Sequence, residues 1–372
     1  MNKKISFITI FDNPNFGTYL QTLALGVVLE KLGAVVEVIH YERQEWQNVE
    51  VLKKRMRETN IIRAFARFLR FIKPYLQKKK EQSFVAKYLK VTKFYHSYDE
   101  LKNDPPQADI YLTGSDQVWN TIHNRGVEKA FYLDFVPDGK PKYSYAASIG
   151  MDEIPSEYKS QTFELLSKYD YISVREKKSM DILTGLGLEN VKLVLDPTML
   201  LEKSDWVKYA KPIKNSRHYI LVYSVESKER ENVISEIATE IAQQKGWDIY
   251  GVYYDGSKRR IKCCDKNFYY ASLNTFLGLF VNSSFVVVSS FHGTVFSILM
   301  EKDFITVSPD RFSSRIDSLL SVTNLEARKV SAFGKEQITK LLQHKINYGE
   351  VNRKLLALKK QSLKFIEDII LK

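Results

Sequence analysis

Apolar runs alternate with amphipathic segments along most of the chain, and this pattern predicts strands separated by helices. The apolar run at 5–11 predicts a strand, the segment 18–33 predicts a helix that ends at Gly33, and residues 35–40 predict a second strand. A strand, a helix and a strand in this order predict a parallel pair joined by a right-handed crossover. The chain therefore opens as an α/β protein.

The alternation stops at "DPTMLLEKSDW" and a second series begins with "HYILVYSV". Since 372 residues exceed what one core usually serves, we expect two doubly wound Rossmann-like domains that face a cleft. The expected parts are an N-terminal domain (1–200) with a basic helical insert (43–104), a C-terminal domain (201–345), and a final helix (346–372) that packs back toward the first domain.

The stretch "SFVVVSSFHGTVFSILME" at 284–301 predicts a buried parallel strand that runs into a helix. Gly293 permits a sharp turn, and Thr294 is the expected N-cap of the helix 294–300. His292 would then lie at a helix N-terminus and at the carboxyl end of a strand. Such a place binds anions in open α/β folds.

The net charge of +12 comes from one segment, because residues 53–93 hold 14 Lys and Arg against two acids, a difference of 12. This segment predicts either a helix with a solvated basic face or an amphipathic helix on an anionic membrane, close to a lipid-linked substrate. No nucleic-acid-reading module accompanies the charge, so we expect no nucleic-acid partner. The predicted apolar face consists of Ile61, Ile62, Phe65, Phe68, Leu69 and Ile72, beside Arg63, Arg67 and Arg70.

The remaining composition favours a cytoplasmic protein, with peripheral contact at the inner face of the membrane as the alternative. No run of about 18 apolar residues predicts a spanning helix, and the N-terminal residues lack a signal-peptide pattern. Cys263 and Cys264 are adjacent, which fits a reducing compartment and makes no convincing zinc site. We therefore expect no metal.

Two segments of the first half carry candidate ligand-binding residues. In "LTGSDQVWN", Asp116 could accept a proton from a sugar hydroxyl and Trp119 could stack on a sugar ring; the structural alternative is an Asp that caps the turn beside a buried Trp. In "FDNPNFGTYLQTLAL", the polar residues could bind ligand or serve ordinary turn chemistry. The candidates are Asn13, Asn15, Gly17, Gln21, Ser115, Asp116, Gln117, Trp119 and Asn120.

Two further side chains suit an anionic ligand. Arg175 follows the short strand "YISV", where a guanidinium can grip a carboxylate or phosphate; an ion pair between domains is the alternative. The imidazole of His292 titrates near neutrality, so it can be cationic toward a bound anion and donate a proton.

Six segments share one resemblance: "NFGTYLQTLALGVVLEKLG", "DIYLTGSDQVWN", "YSYAASIG", "ISVREKKSMDILTGLG", "VLDPTMLL" and "SSFHGTVFSILMEKDF". Together they resemble the polysaccharide pyruvyl transferase family, and they occur in the order of that family over roughly residues 5–310. The resemblance implies a two-domain fold similar to glycosyltransferase type B, with the N-terminal domain on the acceptor side and the C-terminal domain on the donor side. It implies phosphoenolpyruvate as co-substrate and no other cofactor. It also implies a pyruvate ketal on a sugar of a bacterial exopolysaccharide, capsule or cell-wall polymer, with some acceptors lipid-linked. Some family members carry Arg where this chain has Ser290, so we expect Arg315, and more weakly Arg311, to supply the phosphate-binding cation.

The expected mechanism uses His292 as acid toward the donor's methylene and Asp116 as base toward the sugar hydroxyl. The alternatives are a glycosyltransferase with a nucleotide-sugar donor and a non-catalytic scaffold docked through the basic helix. The expected donor-binding residues are Arg175, Ser290, His292, Gly293, Thr294 and Arg315; the expected acceptor-binding residues are Asn13, Asn15, Gly17, Gln21, Ser115, Gln117 and Trp119.

Overall fold

The computed structural model describes residues 2–13, 15–43, 61–214, 217–225, 228–254, 261–309 and 313–371, without the side chains of 61–71 and 369–371. The chain divides into two compact units. Unit 1 comprises Met1–Leu200 and Leu358–Lys372, and unit 2 comprises Leu201–Ala357. No helix in the described residues is long and apolar enough to cross a membrane.

Unit 1 is built on a parallel sheet in the order β3-β2-β1-β4-β5, with β6 and β7 forming a separate parallel pair. The central strands are apolar on both faces, as buried parallel strands usually are. The strands are β1 (Lys4–Ile8), β2 (Val35–Tyr41), β3 (Lys90–Tyr95), β4 (Ile110–Thr113), β5 (Lys142–Ser144), β6 (Ile172–Val174) and β7 (Val191–Leu193).

The helices of unit 1 follow the predicted alternation, except in the basic segment. The segment expected as a helical insert also contributes β3, which extends the sheet beside β2. The apolar face predicted for the basic helix lies mostly outside the described side chains. The helices are α1 (Phe16–Lys31), α2 (Ile61–Ala86), α3 (Tyr98–Asn103), α4 (Thr121–Asn124), α5 (Ser156–Leu166) and α6 (Lys177–Gly185), with 3₁₀ turns at Lys129–Tyr132 and Pro197–Met199.

Unit 2 holds a parallel sheet in the order β10-β9-β8-β11-β12-β13. Its strands are β8 (Tyr219–Tyr223), β9 (Asp248–Val252), β10 (Lys266–Phe268), β11 (Phe285–Val288), β12 (Phe304–Val307) and β13 (Lys329–Val330). Its helices are α7 (Lys203–Tyr209), α8 (Lys228–Lys245), α9 (Leu273–Asn282), α10 (Phe291–Leu299), α11 (Ser314–Thr323) and α12 (Lys335–Gln343), with a 3₁₀ turn at Glu326–Arg328.

One face of α8 supplies much of the core of unit 2. Ile234, Ile237, Ala238 and Ile241 recur at helical spacing and are fully buried in one cluster with the β8, β11 and β12 side chains. This packing fixes the strands, and the residues that follow them, at one edge of the sheet.

The last helix, α13 (Tyr348–Leu371), ends in unit 1. The Leu195 N–H donates to Ser362 Oγ at 2.9 Å, and the Phe365 ring packs near those of Tyr145 and Tyr171. The final turns of the chain therefore cover the segment that leads to Pro197.

Candidate functional site

The carboxyl edge of unit 1 gathers three carboxylates around one guanidinium. Arg175 follows β6 and its side chain is 0% exposed. Its Nη1 lies 2.9 Å from Asp196 Oδ2, its Nη2 lies 3.5 Å from Asp116 Oδ1, and its Nε lies 3.7 Å from Glu176 Oε2. The formal charge of these four side chains is 1 − 3 = −2. Burial alone would lower the pKa of Arg175, but the charges of Asp196, Asp116 and Glu176 raise it above its usual value.

Both aspartates are also held by hydroxyl and backbone donors. Thr18 Oγ1 donates to Asp116 Oδ2 at 3.0 Å, and the Gln117 N–H donates to Asp116 Oδ1 at 2.9 Å. Thr198 donates to Asp196 Oδ1 from its backbone and its hydroxyl, at 3.0 and 2.6 Å. Asp116 has a φ of 77° in the left-handed region, which an Asp tolerates better than most residues. The backbone therefore fixes where this carboxylate points.

The predicted residues of "LTGSDQVWN" divide into two groups. Ser115 joins the carboxylate cluster, because its Oγ donates to Asp196 Oδ2 at 3.1 Å. Trp119 lies in the core at 0% exposure, donates from Nε1 to Phe131 O at 3.0 Å and stacks on Tyr132. Because it is buried, Trp119 offers no exposed ring face in this structure. The structure therefore matches the alternative of a buried Trp rather than a Trp that stacks on a sugar ring.

The predicted residues before and within α1 are mostly engaged in forming the helix. Asn15 is its N-cap and accepts from the Gly17 N–H at 2.8 Å, while the Asn15 N–H donates to Asn13 O at 2.8 Å. Gln21 is fully buried, and its Nε2 donates to Thr9 Oγ1 at 3.0 Å. Their acceptor-binding roles stay predictions.

The sequence reasoning missed Thr18 and Asp196. Thr18 lies three residues before Gln21, and Asp196 opens the "DPT" break that was used only as a domain boundary. An Asp or Thr that follows a predicted strand or opens a predicted helix was the available signal.

In unit 2 the helix after β11 begins earlier than predicted. Its N-cap is Ser290, whose Oγ accepts from the Gly293 N–H at 2.9 Å, so the prediction of Thr294 as N-cap was wrong. Gly293 lies inside the first turn, where a Cβ would meet Ser290 Oγ at 2.7 Å and Val288 Cγ1 at 3.0 Å. Glycine is therefore required here for close packing rather than for a turn. Thr294 Oγ1 donates back to Ser290 O at 3.0 Å.

His292 occupies the same first turn and is 7% exposed. Arg315, at the start of α11, places its guanidinium carbon 5.9 Å from the ring centroid of Phe291, and that ring lies 5.1 Å from the imidazole of His292. The predicted cation and the predicted acid thus flank one phenyl ring. Arg311 lies outside the described residues.

A row of serines at this edge was not predicted. Ser224, Ser289, Ser308 and Ser331 follow β8, β11, β12 and β13, which are adjacent in the sheet. The hydroxyls of Ser224 and Ser289 lie 3.2 Å apart, and so do those of Ser308 and Ser331. The available signal was a serine directly after each of three apolar runs, β8, β11 and β12; Ser331 follows the short β13 (Lys329–Val330), which gives no such signal. Such hydroxyls can donate to an anion without adding charge.

Among the described residues, no three His, Cys, Asp or Glu side chains are arranged to hold a metal ion. The two cysteines are free thiols.

Comparison with solved structures defines the class of fold. The chain is similar to UDP-GlcNAc 2-epimerase from Methanocaldococcus jannaschii (TM-score 0.52, 12% identity, 92% of this chain and 93% of that one). It is similar to the glycotransferase of kitacinnamycin (TM-score 0.53, 10% identity, 100% of both chains). It is also similar to UDP-GlcNAc 2-epimerase from Neisseria meningitidis (TM-score 0.51, 10% identity, 99% of this chain and 98% of that one). The predicted α/β fold of two Rossmann-like domains, of the glycosyltransferase-B type, is confirmed.

The family is defined by sequence. A search of curated proteins found no match. The model of the polysaccharide pyruvyl transferase family matches residues 15–311, which is more than half of the chain. The chain therefore belongs to this family, as its motifs predicted.

Proposed function

We propose that the protein transfers the pyruvyl group of phosphoenolpyruvate to two hydroxyls of a sugar in a bacterial polysaccharide or its lipid-linked precursor, forming a pyruvate ketal. The observation that carries the proposal is the family membership, together with the serine row, His292 and Arg315 at one edge of unit 2. A glycan acceptor follows from the family. The donor and the ketal chemistry are the parts proposed here.

Unit 2 suits the donor. Phosphoenolpyruvate carries a phosphate and a carboxylate, which need cations, hydroxyl donors and oriented N–H groups. The first turn of α10 offers backbone N–H groups, and Ser289 and Ser308 offer hydroxyls beside it in the sheet order. Arg315 would supply the cation that some family members place at the position of Ser290.

Unit 1 suits the acceptor hydroxyl. A site with a formal charge of −2 disfavours a multiply charged anion and favours removal of a proton from a neutral hydroxyl. Asp116 is the proposed base. For Arg175 we propose that its buried guanidinium orients Asp116 and Asp196, which competes with its predicted role as a direct donor ligand.

The proposed reaction balances with these groups. His292 donates a proton to the terminal methylene, which becomes a methyl group as positive charge develops at the central carbon. A sugar hydroxyl attacks that carbon and gives its proton to Asp116. The bond between the central carbon and the phosphate ester oxygen breaks, a second hydroxyl forms the second C–O bond, and its proton goes to the leaving phosphate. The products are the ketal and inorganic phosphate. Asp116 then releases its proton to water and His292 takes one up, which restores both groups. No redox partner is needed.

The test is incubation of the purified chain with phosphoenolpyruvate and a panel of glycans, read by mass spectrometry. The proposal expects the mass of one pyruvyl ketal on a glycan and release of one equivalent of phosphate. A glycosyl transfer from a nucleotide sugar without any pyruvyl product would overturn it.

We also propose that the basic segment 53–93 contacts an anionic membrane surface. In its described part Lys73, Lys80, Lys87, Lys90 and Lys93 are exposed, and Leu76 is 58% exposed. Co-sedimentation with phosphatidylglycerol vesicles should fall as salt rises. Vesicle binding should also fall in the double variant Lys80→Glu, Lys87→Glu. It should not fall in the control Lys360→Glu, Lys364→Glu, which changes the net charge by the same amount. Binding that does not depend on salt would contradict the proposal.

A further inference from the structure

The described half of α2 turns a polar face toward the interior of unit 1. Gln77, Lys78, Glu81 and Gln82 are 1–5% exposed, whereas Leu76 on another face is 58% exposed. A helix that packs only for stability buries an apolar stripe and exposes its polar side chains. This inward face therefore serves something other than core packing.

Lys78 and Gln82 reach the residues that follow β1 and β2. Lys78 Nζ lies 2.5 Å from Glu42 Oε2, and Gln82 Nε2 donates to Glu42 Oε1 at 2.6 Å. Beside them Asp12 pairs with Arg43, Oδ1 to Nη2 at 2.6 Å and Oδ2 to Nε at 3.0 Å. Gln77 is different, because its Nε2 donates along the helix to Glu81 at 2.7 Å.

In this strand-end cluster, defined as Asp12, Glu42, Arg43, Lys78 and Gln82, the two carboxylates each pair with a cation at less than 3.3 Å. Replacing buried ion pairs with apolar packing is often neutral for stability, although breaking one of them is costly, so core packing alone does not require such pairs. Side chains whose charges are already paired, at the carboxyl ends of parallel strands, suit an uncharged, polar ligand.

Gln82 indicates where such a ligand would bind. Its Nε2 donates to Phe11 O at 3.0 Å as well as to Glu42, and since both partners are acceptors the amide cannot be turned round. Its Oε1 is buried and accepts no hydrogen bond within the described part of the chain. A buried carbonyl oxygen without a donor is unfavourable, and a ligand hydroxyl would satisfy it.

We propose that the strand-end cluster binds one sugar ring of the acceptor, and that Gln82 Oε1 accepts a hydrogen bond from a ring hydroxyl. The proposal rests on the proposed function, which makes a glycan the acceptor. It adds a recognition residue on α2, outside the predicted acceptor segments 11–25 and 112–120. The amide and carboxylate groups of the cluster supply the planar, fixed partners that hydroxyl recognition needs.

The test uses the full chain without donor and compares Gln82→Met with the matched control Gln77→Met, a buried glutamine on the same helix. Saturation-transfer NMR is recorded with methyl β-D-galactopyranoside and methyl β-D-glucopyranoside. We expect at least one glycoside to bind the wild type, Gln82→Met to lose the signal at least fivefold, and Gln77→Met to keep it. No binding to the wild type, or equal signals from the two variants, overturns the proposal.

Folding of both variants is checked by circular dichroism, and Gln82→Asn replaces Gln82→Met if the latter unfolds. The pyruvyl-transfer assay then separates this inference from the proposed function. If the wild type transfers pyruvyl and Gln82→Met keeps the wild-type KM for the acceptor, the site is wrong and the function stands. If the wild type transfers none while Gln82→Met alone loses glycoside binding, the function is wrong and the site stands.

Discussion

In unit 1 the residues after β4, β6 and β7 bring one guanidinium among three carboxylates. In unit 2 the residues after β8, β11, β12 and β13 present serine hydroxyls and the first turn of a helix. Both places are the carboxyl edge of a parallel sheet in a Rossmann-like unit. Both are largely buried, but the first carries a net negative formal charge, whereas the second consists of hydroxyl and N–H groups. The same position in the fold therefore carries different chemistry in the two units, which is the basis for proposing a neutral hydroxyl as ligand of the first and an anion as ligand of the second.

The largest expected effect concerns His292. His292→Gln should lower kcat for pyruvyl transfer by about 10²–10⁴-fold, because a general acid contributes that much. His218→Gln is the control, since His218 lies at the amino end of β8, on the opposite edge of the same sheet, and its Nδ1 is within 2.8 Å of Ser284 Oγ. Rates are measured by mass spectrometry with saturating donor. Equal rates in the two variants would remove the proposed acid.

The two arginines should differ in their effect on stability. Arg175→Met leaves Asp116 and Asp196 buried beside no guanidinium, so we expect the free energy of unfolding to fall by about 3–5 kcal/mol. Arg315 is only half-buried over a phenyl ring, and Arg315→Met should cost less than about 1 kcal/mol. Urea unfolding of the two variants measures both values. Similar losses would contradict the proposal that Arg175 has a structural role and that Arg315 faces a ligand.

Unit 1 should lose stability in acid through Glu42. Burial raises the pKa of Glu42, but the His40 ring 3.5 Å away, hydrogen bonds from Lys78 and Gln82 and the charge of Lys78 outweigh it and lower the pKa to about 2. Because the folded pKa lies below the unfolded value near 4.5, the stabilisation is present above pH 4.5 and is lost as the pH falls toward 2.

The lowered pKa of Glu42 corresponds to a contribution of about 3 kcal/mol to the free energy of unfolding at neutral pH. Glu42→Gln should therefore be less stable than the wild type at pH 7, and the gap should narrow as the pH falls from 4.5 to 2. Denaturant unfolding across this range measures it. A gap that does not depend on pH would show that Glu42 carries no such ion pair.

The sequence predicted the strands and helices better than it predicted the contacts between side chains. Apolar runs fixed β1, β8 and β11 to within a few residues, because burial on both faces leaves a clear pattern. Strand β3 was missed because "KVTKFY" lies at the sheet edge, where lysines are tolerated. The N-cap of α10 was misplaced because both Ser290 and Thr294 suit that position; in the structure Ser290 Oγ accepts from the Gly293 N–H and caps the helix.

The sequence could predict where candidate site residues lie along the strands and helices, but not which side chains they contact. Asp116, Arg175 and His292 were chosen as candidates because they follow strands or open helices, where ligands bind in α/β folds; their roles stay predictions. The pairing of Asp12 with Arg43, 31 positions later, leaves no periodic signal in a single sequence. Neither does the burial of Trp119, which depends on Tyr132 and Phe131 closing over it.

The most direct test of the division between the units is calorimetric titration of phosphoenolpyruvate into Ser289→Ala, its control Ser283→Ala at the opposite end of β11, and Asp116→Asn. A hydroxyl that donates to an anion is worth about 1.5–3 kcal/mol. The account predicts at least tenfold weaker binding in Ser289→Ala, wild-type binding in Ser283→Ala, and equal or tighter binding in Asp116→Asn. Loss of donor binding in Asp116→Asn with wild-type binding in Ser289→Ala would contradict it.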